Sequence, residues 1–176
     1  MTARYSLWLM PPPNAGEHFA RLIERLSRRL GTPCFIPHIT FCSTSDIDEP
    51  AAVARARAAA KQLAPVPVHL TEIGIGDSYF RCVYVLAERT EALLAAYRTA
   101  CAHFGVEPAA DYLPHLSLVY GDLARADRER LADEVGRRFD IRFTADRIAL
   151  CAPAGPPQGW RLIGPYALEG GSAGEP

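Results

Sequence analysis

Two short segments of the chain repeat the order histidine, apolar, hydroxyl, apolar: His38-Ile39-Thr40-Phe41 and His115-Leu116-Ser117-Leu118. Side chains alternate along a strand, so each histidine and its hydroxyl project from one face while the apolar pair projects from the other, into a core. The imidazole and the hydroxyl then stand about 6.5–7 Å apart. Pro37 and Pro114 precede the histidines, a position at which a strand tolerates proline. If a two-fold axis brings the strands together, one cleft holds two imidazoles and two hydroxyls. That set suits the opening of a cyclic phosphodiester, which needs a base to activate water and an acid to protonate the departing ribose oxygen on the other side of phosphorus. Histidines with the ordinary pKa near 6.5 hold these opposite protonation states near neutrality. Each general acid or base is worth roughly 10²–10⁴-fold. Thr40 and Ser117 donate to the non-bridging oxygens, whose charge grows in the transition state. The scheme calls for neither metal nor cofactor.

The competing readings of the histidines are a structural role and a zinc site. Zinc needs three or four clustered ligands; the two motifs supply two, and no HxH or HExxH occurs. His18, His69 and His103 read as structural: His18 on the exposed side of a helix, His69 facing a sheet, and His103 in a last helical turn, where a cation suits the dipole.

The elements that must position the motifs follow from apolar spacing. Residues 4–10 read as a buried strand ended by Pro11-Pro12-Pro13. Asn14 and Glu17 then suggest a capping box, Phe19, Leu22, Ile23, Leu26 and Leu30 follow at helical spacing, and Gly31 suits the left-handed stop. A strand over 37–43, an alanine-rich helix over 50–64 after Asp48, and a strand over 66–76 complete this half. A strand over 79–87, a helix over 90–104 stopped by Gly105, a strand over 114–120, a helix over 126–138 with Leu131 and Val135 inward, and one strand over 141–150 follow in the same order. A last strand spans about 160–168. His38 and His115 lie 77 positions apart, and Thr71 and Thr144, in the third strands, 73. Two nearly equal lags point to internal duplication. The expectation is an α+β fold of β-α-β-α-β units, with halves at about 4–76 and 79–168, forming two lobes about a pseudo-two-fold axis in one domain over residues 1–170. Residues 170–176 read as a frayed tail.

The chain has 176 residues, 49% hydrophobic and 22% charged, an ordinary globular composition. The net charge of −1 gives no broad attraction for polyanions, so long nucleic acid is not an expected partner. Five cysteines without a CxxC pair read as reduced and mostly buried. No apolar run is long enough to span a membrane. A cytoplasmic monomer acting on a small molecule is the expectation.

The segments PHITFCS and PHLSLVYGD, set in a duplicated αβ chain, resemble the 2H phosphoesterase superfamily, which takes its name from two H-x-[T/S] motifs. YSLWLMPP, GTPCFIPHIT and SYFRCVYV look more narrowly like its cyclic phosphodiesterase group, and the resemblance covers about residues 4–166. It implies a bilobal fold with two antiparallel-rich sheets lining a central cleft. It implies hydrolysis of ADP-ribose 1″,2″-cyclic phosphate to the 1″-phosphate, and of nucleoside 2′,3′-cyclic phosphates to 2′-phosphates. His38 and His115 match the acid/base pair and Thr40 and Ser117 the phosphate-binding hydroxyls. The symmetric motifs do not tell base from acid; the assignment to be tested gives His115 the water and His38 the leaving oxygen. Tyr120 matches a cleft tyrosine, yet its odd offset from Ser117 points it to the other face unless the strand bulges. Trp8 and Phe80 are candidates to stack on a base, burial in the core being the favoured role for each. Plant members carry disulfides that the cysteines here do not match.

Two other functions compete. One is action on RNA ends, as a 2′,3′-cyclic phosphodiesterase or 2′,5′-RNA ligase; it would want a basic surface, for which Arg81 and Arg161 are candidates. The other is a nucleotide-binding module without turnover, which the intact motifs do not suggest.

Overall fold

The computed structural model describes residues 3–170. β1 (Ala3–Met10) leads into α1 (Pro13–Leu30), β2 (Ile39–Ile47), α2 (Glu49–Gln62) and β3 (Val66–Ser78). Then come β4 (Arg81–Ala87), α3 (Glu91–Phe104), β5 (His115–Val119), α4 (Arg125–Val135), β6 (Arg138–Ala145), β7 (Arg147–Ala152), a single 3-10 turn (Pro157–Gly159) and β8 (Arg161–Ala167). The fold is α+β. Its strands form two antiparallel four-stranded halves, joined into one sheet of order β6-β3-β4-β5-β2-β1-β7-β8.

Local chemistry sets the helix ends. Asp48 accepts from the Ala51 N–H at 2.8 Å and caps α2, and Thr90 caps α3 through the Leu93 N–H. Gly31 and Gly105 close α1 and α3 in the left-handed conformation, which a residue without Cβ adopts at no steric cost. The capping box expected at Asn14 is not formed. α1 starts at Pro13 after Pro12, without a side-chain cap. Proline's fixed φ suits a first helical turn, so the helix begins two residues earlier, with its N-cap at Pro12, and takes Asn14 inside it.

The strand expected over 141–150 is two strands. β6 pairs with β3 at one edge of the sheet, whereas β7 pairs with β1 in the other half. The chain changes halves at Asp146, whose backbone carbonyl accepts from the Leu168 N–H at 2.8 Å. β6 alternates between exposed and partly buried residues and β7 is nearly continuous in its burial, the patterns of an edge and of an interior strand. Thr71 and Thr144 therefore do not hold corresponding places: in the sheet order β7, not β6, stands where β3 stands in the other half. The sequence halves are not the halves of the sheet either, because β3 joins β4 and β5 while β7 and β8 return to β1 and β2.

α1, α2 and α3 bury Phe19, Ile23, Leu26, Ala52, Ala56, Ala59, Leu93 and Phe104 against the sheet. The helices thus cover one face, and the histidine face is left open. Cys42, Cys82, Cys101 and Cys151 are buried, and Cys34 is exposed. Among the described residues no helix is long and apolar enough to cross a membrane. Of the expected tail, Gly170 donates its N–H to the Leu63 carbonyl at 2.9 Å; residues 171–176 lie outside the described residues.

Candidate active site

β2 and β5 touch through one backbone pair, Ile39 opposite Leu116. Both residues are buried, so the apolar member after each histidine locks the two half-sheets from behind. Extending that register by one residue either way sets His38 opposite Ser117 and Thr40 opposite His115. On an antiparallel pair opposite residues lie about 4.5–5.5 Å apart and diagonal ones about 7–8 Å. The two imidazoles take one diagonal and the two hydroxyls the other. All four line one cleft of about 460 Å³.

Each histidine is held the same way. His38 Nδ1 meets the Ile36 carbonyl at 2.6 Å and His115 Nδ1 the Leu113 carbonyl at 2.7 Å, two residues upstream in both cases. A carbonyl only accepts, so both rings carry the proton on Nδ1 and turn an unprotonated Nε2 to the cleft. Trp8 lies flat on His38, centroids 3.5 Å apart and planes 7° apart. Tyr84 tilts over His115 at 4.9 Å. The Trp8 indole N–H donates to Ser6 Oγ at 3.0 Å, and Ser43 Oγ donates to the same oxygen at 3.1 Å.

The ordinary imidazole pKa expected of the pair does not hold. Burial pushes His38 down to about 4, against a raising effect of the Ile36 carbonyl and with a further lowering by His115. His115 is lowered as well, by burial first and then by Arg81, with the Leu113 carbonyl opposing. The free site thus holds two neutral imidazoles at pH 7, because few water dipoles are left to solvate a cation there.

Tyr120 does face the cleft despite its offset. Val83 pairs with Val119 but Tyr84 with Ser117, so Leu118 is an extra residue that reverses the alternation. The same shift occurs at the first motif: Leu7 pairs with Cys42 and Trp8 with Thr40, leaving Phe41 extra. In each motif the fourth residue is the inserted one. The residue three past each hydroxyl, Ser43 or Tyr120, thereby returns to the cleft. Tyr120 stacks on Phe35 at 3.7 Å and contacts the Ser117 hydroxyl, and burial holds its phenol well above the usual range. Ser117 Oγ donates to the Phe80 carbonyl at 3.2 Å.

Trp8 is buried and still forms a wall of the cleft. Phe80, expected in the core, is 53% exposed and stands on the rim beside Trp160, centroids 5.6 Å apart. It follows the turn residue Tyr79, where no second layer covers it. Arg81 lines the cleft, but Arg161 does not: it is paired with Glu49. Arg4 takes its place as the second arginine of the lining. Among the described residues neither Arg4 nor Arg81 forms an ion pair. His69 bridges Glu88 at 2.9 Å and Asp140 at 2.8 Å, away from the cleft. Sequence reasoning missed Arg4, Ser6, Ser43, Tyr84 and Trp160. Ser43 carried a signal, since it sits three past Thr40 as Tyr120 does past Ser117. Among the described residues no three His, Cys, Asp or Glu cluster to hold a metal.

Solved structures share this architecture. E. coli LigT complexed with 3′-AMP superposes with a TM-score of 0.65 at 14% identity, over 96% of this chain and 99% of that one. A Thermus thermophilus protein gives 0.63 at 16%, over 96% and 99%. At such identities the likeness is one of fold. In sequence, an Arabidopsis thaliana cyclic phosphodiesterase is 27% identical over 84% of this chain and 83% of its own length. A Yarrowia lipolytica 2′,3′-cyclic-nucleotide 3′-phosphodiesterase is 29% identical over 90% and 97%. The family model of cyclic phosphodiesterase-like proteins matches residues 1–168. The chain belongs to that family and is a phosphodiesterase enzyme.

Proposed function

We propose that the chain hydrolyses five-membered cyclic phosphodiesters on ribose: ADP-ribose 1″,2″-cyclic phosphate to the 1″-phosphate, and nucleoside 2′,3′-cyclic phosphates to 2′-phosphates. The observation that carries this reading is the pair of imidazoles, each anchored through Nδ1 to a carbonyl and each presenting Nε2 to one cleft. The curated relatives are named for cyclic phosphodiesterase activity, which agrees with it.

His115, the less buried of the two and next to Arg81, takes a proton from water through Nε2. The new P–O bond forms as the bond from phosphorus to the 3′ (or 2″) oxygen breaks. His38, protonated in the complex, gives its Nε2 proton to that oxygen. A phosphate monoanion in the cleft supplies the charge that lets this buried imidazole hold a proton, and an acidic imidazolium is a strong donor to an alkoxide. Thr40 and Ser117 lie on the other diagonal, as donors to the non-bridging oxygens. Tyr120 supports Ser117. The chain acts in this reading as a cytoplasmic monomer on a small anionic substrate.

The test is turnover of ADP-ribose 1″,2″-cyclic phosphate and the four nucleoside 2′,3′-cyclic phosphates in excess EDTA, in the wild type and in folded His38→Ala and His115→Ala. Turnover that survives EDTA and drops about 10²–10⁴-fold in each variant is the expected result. Loss of activity in EDTA would overturn it. Hydrolysis of oligoribonucleotide 2′,3′-cyclic ends in preference to the mononucleotides would transfer the reading to RNA ends, for which Arg4 and Arg81 offer unpaired charge.

A further inference from the structure

Beside the reaction cleft lies a larger cavity of about 730 Å³. Trp8 and Trp160 line both spaces. Phe35, on the far side, stacks on Tyr120, on the near side. The two cavities therefore adjoin across a partition of aromatic rings. The far walls are apolar: Met10, Ala20, Ile36 and Leu162. Ile36, 42% exposed, and Phe80, 53% exposed, are the exposed large hydrophobics among the described residues, and each lines one of the two spaces. Apolar surface left in water beside a site marks a place where a ligand removes it from water. The charges at the far cavity do not favour an anion. Glu17, Arg21 and Glu24 line it, and both carboxylates are ion-paired within α1, Glu17 to Arg21 and Glu24 to Arg28, which leaves no unpaired cation in the lining among the described residues.

We propose that the far cavity binds a neutral planar ring at the distal end of the substrate, a nucleobase separated by a ribose-diphosphate linker from the cyclic phosphate held between His38 and His115. This rests on the hydrolysis proposed above. A mononucleotide is accommodated by the reaction cleft alone. A dinucleotide-like substrate has one ring left over, and the apolar space that adjoins the reaction cleft at Trp8 and Trp160 receives it. The chain is then tuned to the extended substrate rather than to the mononucleotide.

Two perturbations reach the far cavity without touching the motifs: Ala20→Phe on α1, which fills it, and alkylation of Cys34, which lines it and is the exposed cysteine of the described residues, with an N-aryl maleimide, Cys34→Ser serving as the unreactive control. Each should lower kcat/KM for ADP-ribose 1″,2″-cyclic phosphate about tenfold or more, while adenosine 2′,3′-cyclic phosphate changes less than about twofold. Equal losses on both substrates, or no loss on either, would overturn the proposal. A binding arm is independent of turnover. Trp8 and Trp160 are the two tryptophans of the chain, so ADP-ribose should quench their fluorescence, with an affinity about tenfold weaker in Ala20→Phe. If the wild type hydrolyses neither compound, the hydrolysis reading fails and this arm still judges the cavity: weakened quenching upholds it, and quenching that is absent or unchanged overturns it.

Discussion

Ile39 and Leu116 make the one backbone pair between β2 and β5, and each directly follows a motif histidine. That pair fixes His38 and His115 on one diagonal of one face. It also brings the imidazoles close enough for His115 to help depress His38. Two cations side by side in a poorly solvated cleft are disfavoured, which adds to the larger effect of burial on His38.

The pH dependence of kcat/KM follows. In the proposed mechanism the reactive free form has one neutral and one protonated imidazole, and it is most populated between the two lowered pKa values. The optimum of kcat/KM is therefore expected on the acid side of 6.5 and the rate should fall as pH rises beyond it. Bound phosphate raises both pKa values, so the bell for kcat should lie at higher pH. Steady-state profiles from pH 4 to 9 measure both. An optimum of kcat/KM above pH 7 would contradict the depressed pair.

Stability should carry the same signature. Unfolded His38 binds a proton below about 6.5, whereas the folded residue stays neutral down to about 4. Between these values the unfolded chain binds more protons, so stability falls as pH falls, by on the order of 3 kcal/mol for this one group. Urea unfolding of wild type and His38→Gln across this window should give a flatter dependence in the variant. Equal slopes would mean that His38 charges freely in the folded protein.

Gly74 of β3 stands opposite Tyr84 of β4, the strand beside β5. A methyl group at this position of β3 would overlap the buried Tyr84 ring, and Tyr84 tilts over His115. Gly74→Ala should cost about 1–3 kcal/mol of stability and lower kcat about 10- to 100-fold by moving His115. Gly136, with open space around its Cβ but a φ of 99°, is the control: its alanine variant should lose stability without a matching loss of kcat.

Tyr120 supplies a phenol that burial keeps protonated. Tyr120→Phe keeps the stack on Phe35 and removes the contact to Ser117. The expected loss in kcat/KM is about 3- to 10-fold, the worth of one hydrogen bond. Because the phenol does not titrate in the working range, the alkaline limb should stay in place. A moved limb would mean that Tyr120 exchanges a proton during turnover.

The chain itself determined the four helices, the strands that carry the motifs, and the His-x-hydroxyl pattern, because these depend on periodicity and on caps between near neighbours. Gly31, Gly105 and Asp48 mark their helix ends without help from the rest of the molecule. Tertiary structure decided where strands went. Nothing local to residues 141–150 announces that Asp146 divides an edge strand from an interior one, since the partners β3 and β1 are remote in sequence. It decided the direction of Tyr120 and Ser43, because an inserted residue in a ladder exists only relative to the opposite strand. It also decided the protonation of the histidines. An imidazole pKa is set by the water excluded around it, and in His38 that exclusion comes from Trp8 on another strand and from the whole half-sheet behind it.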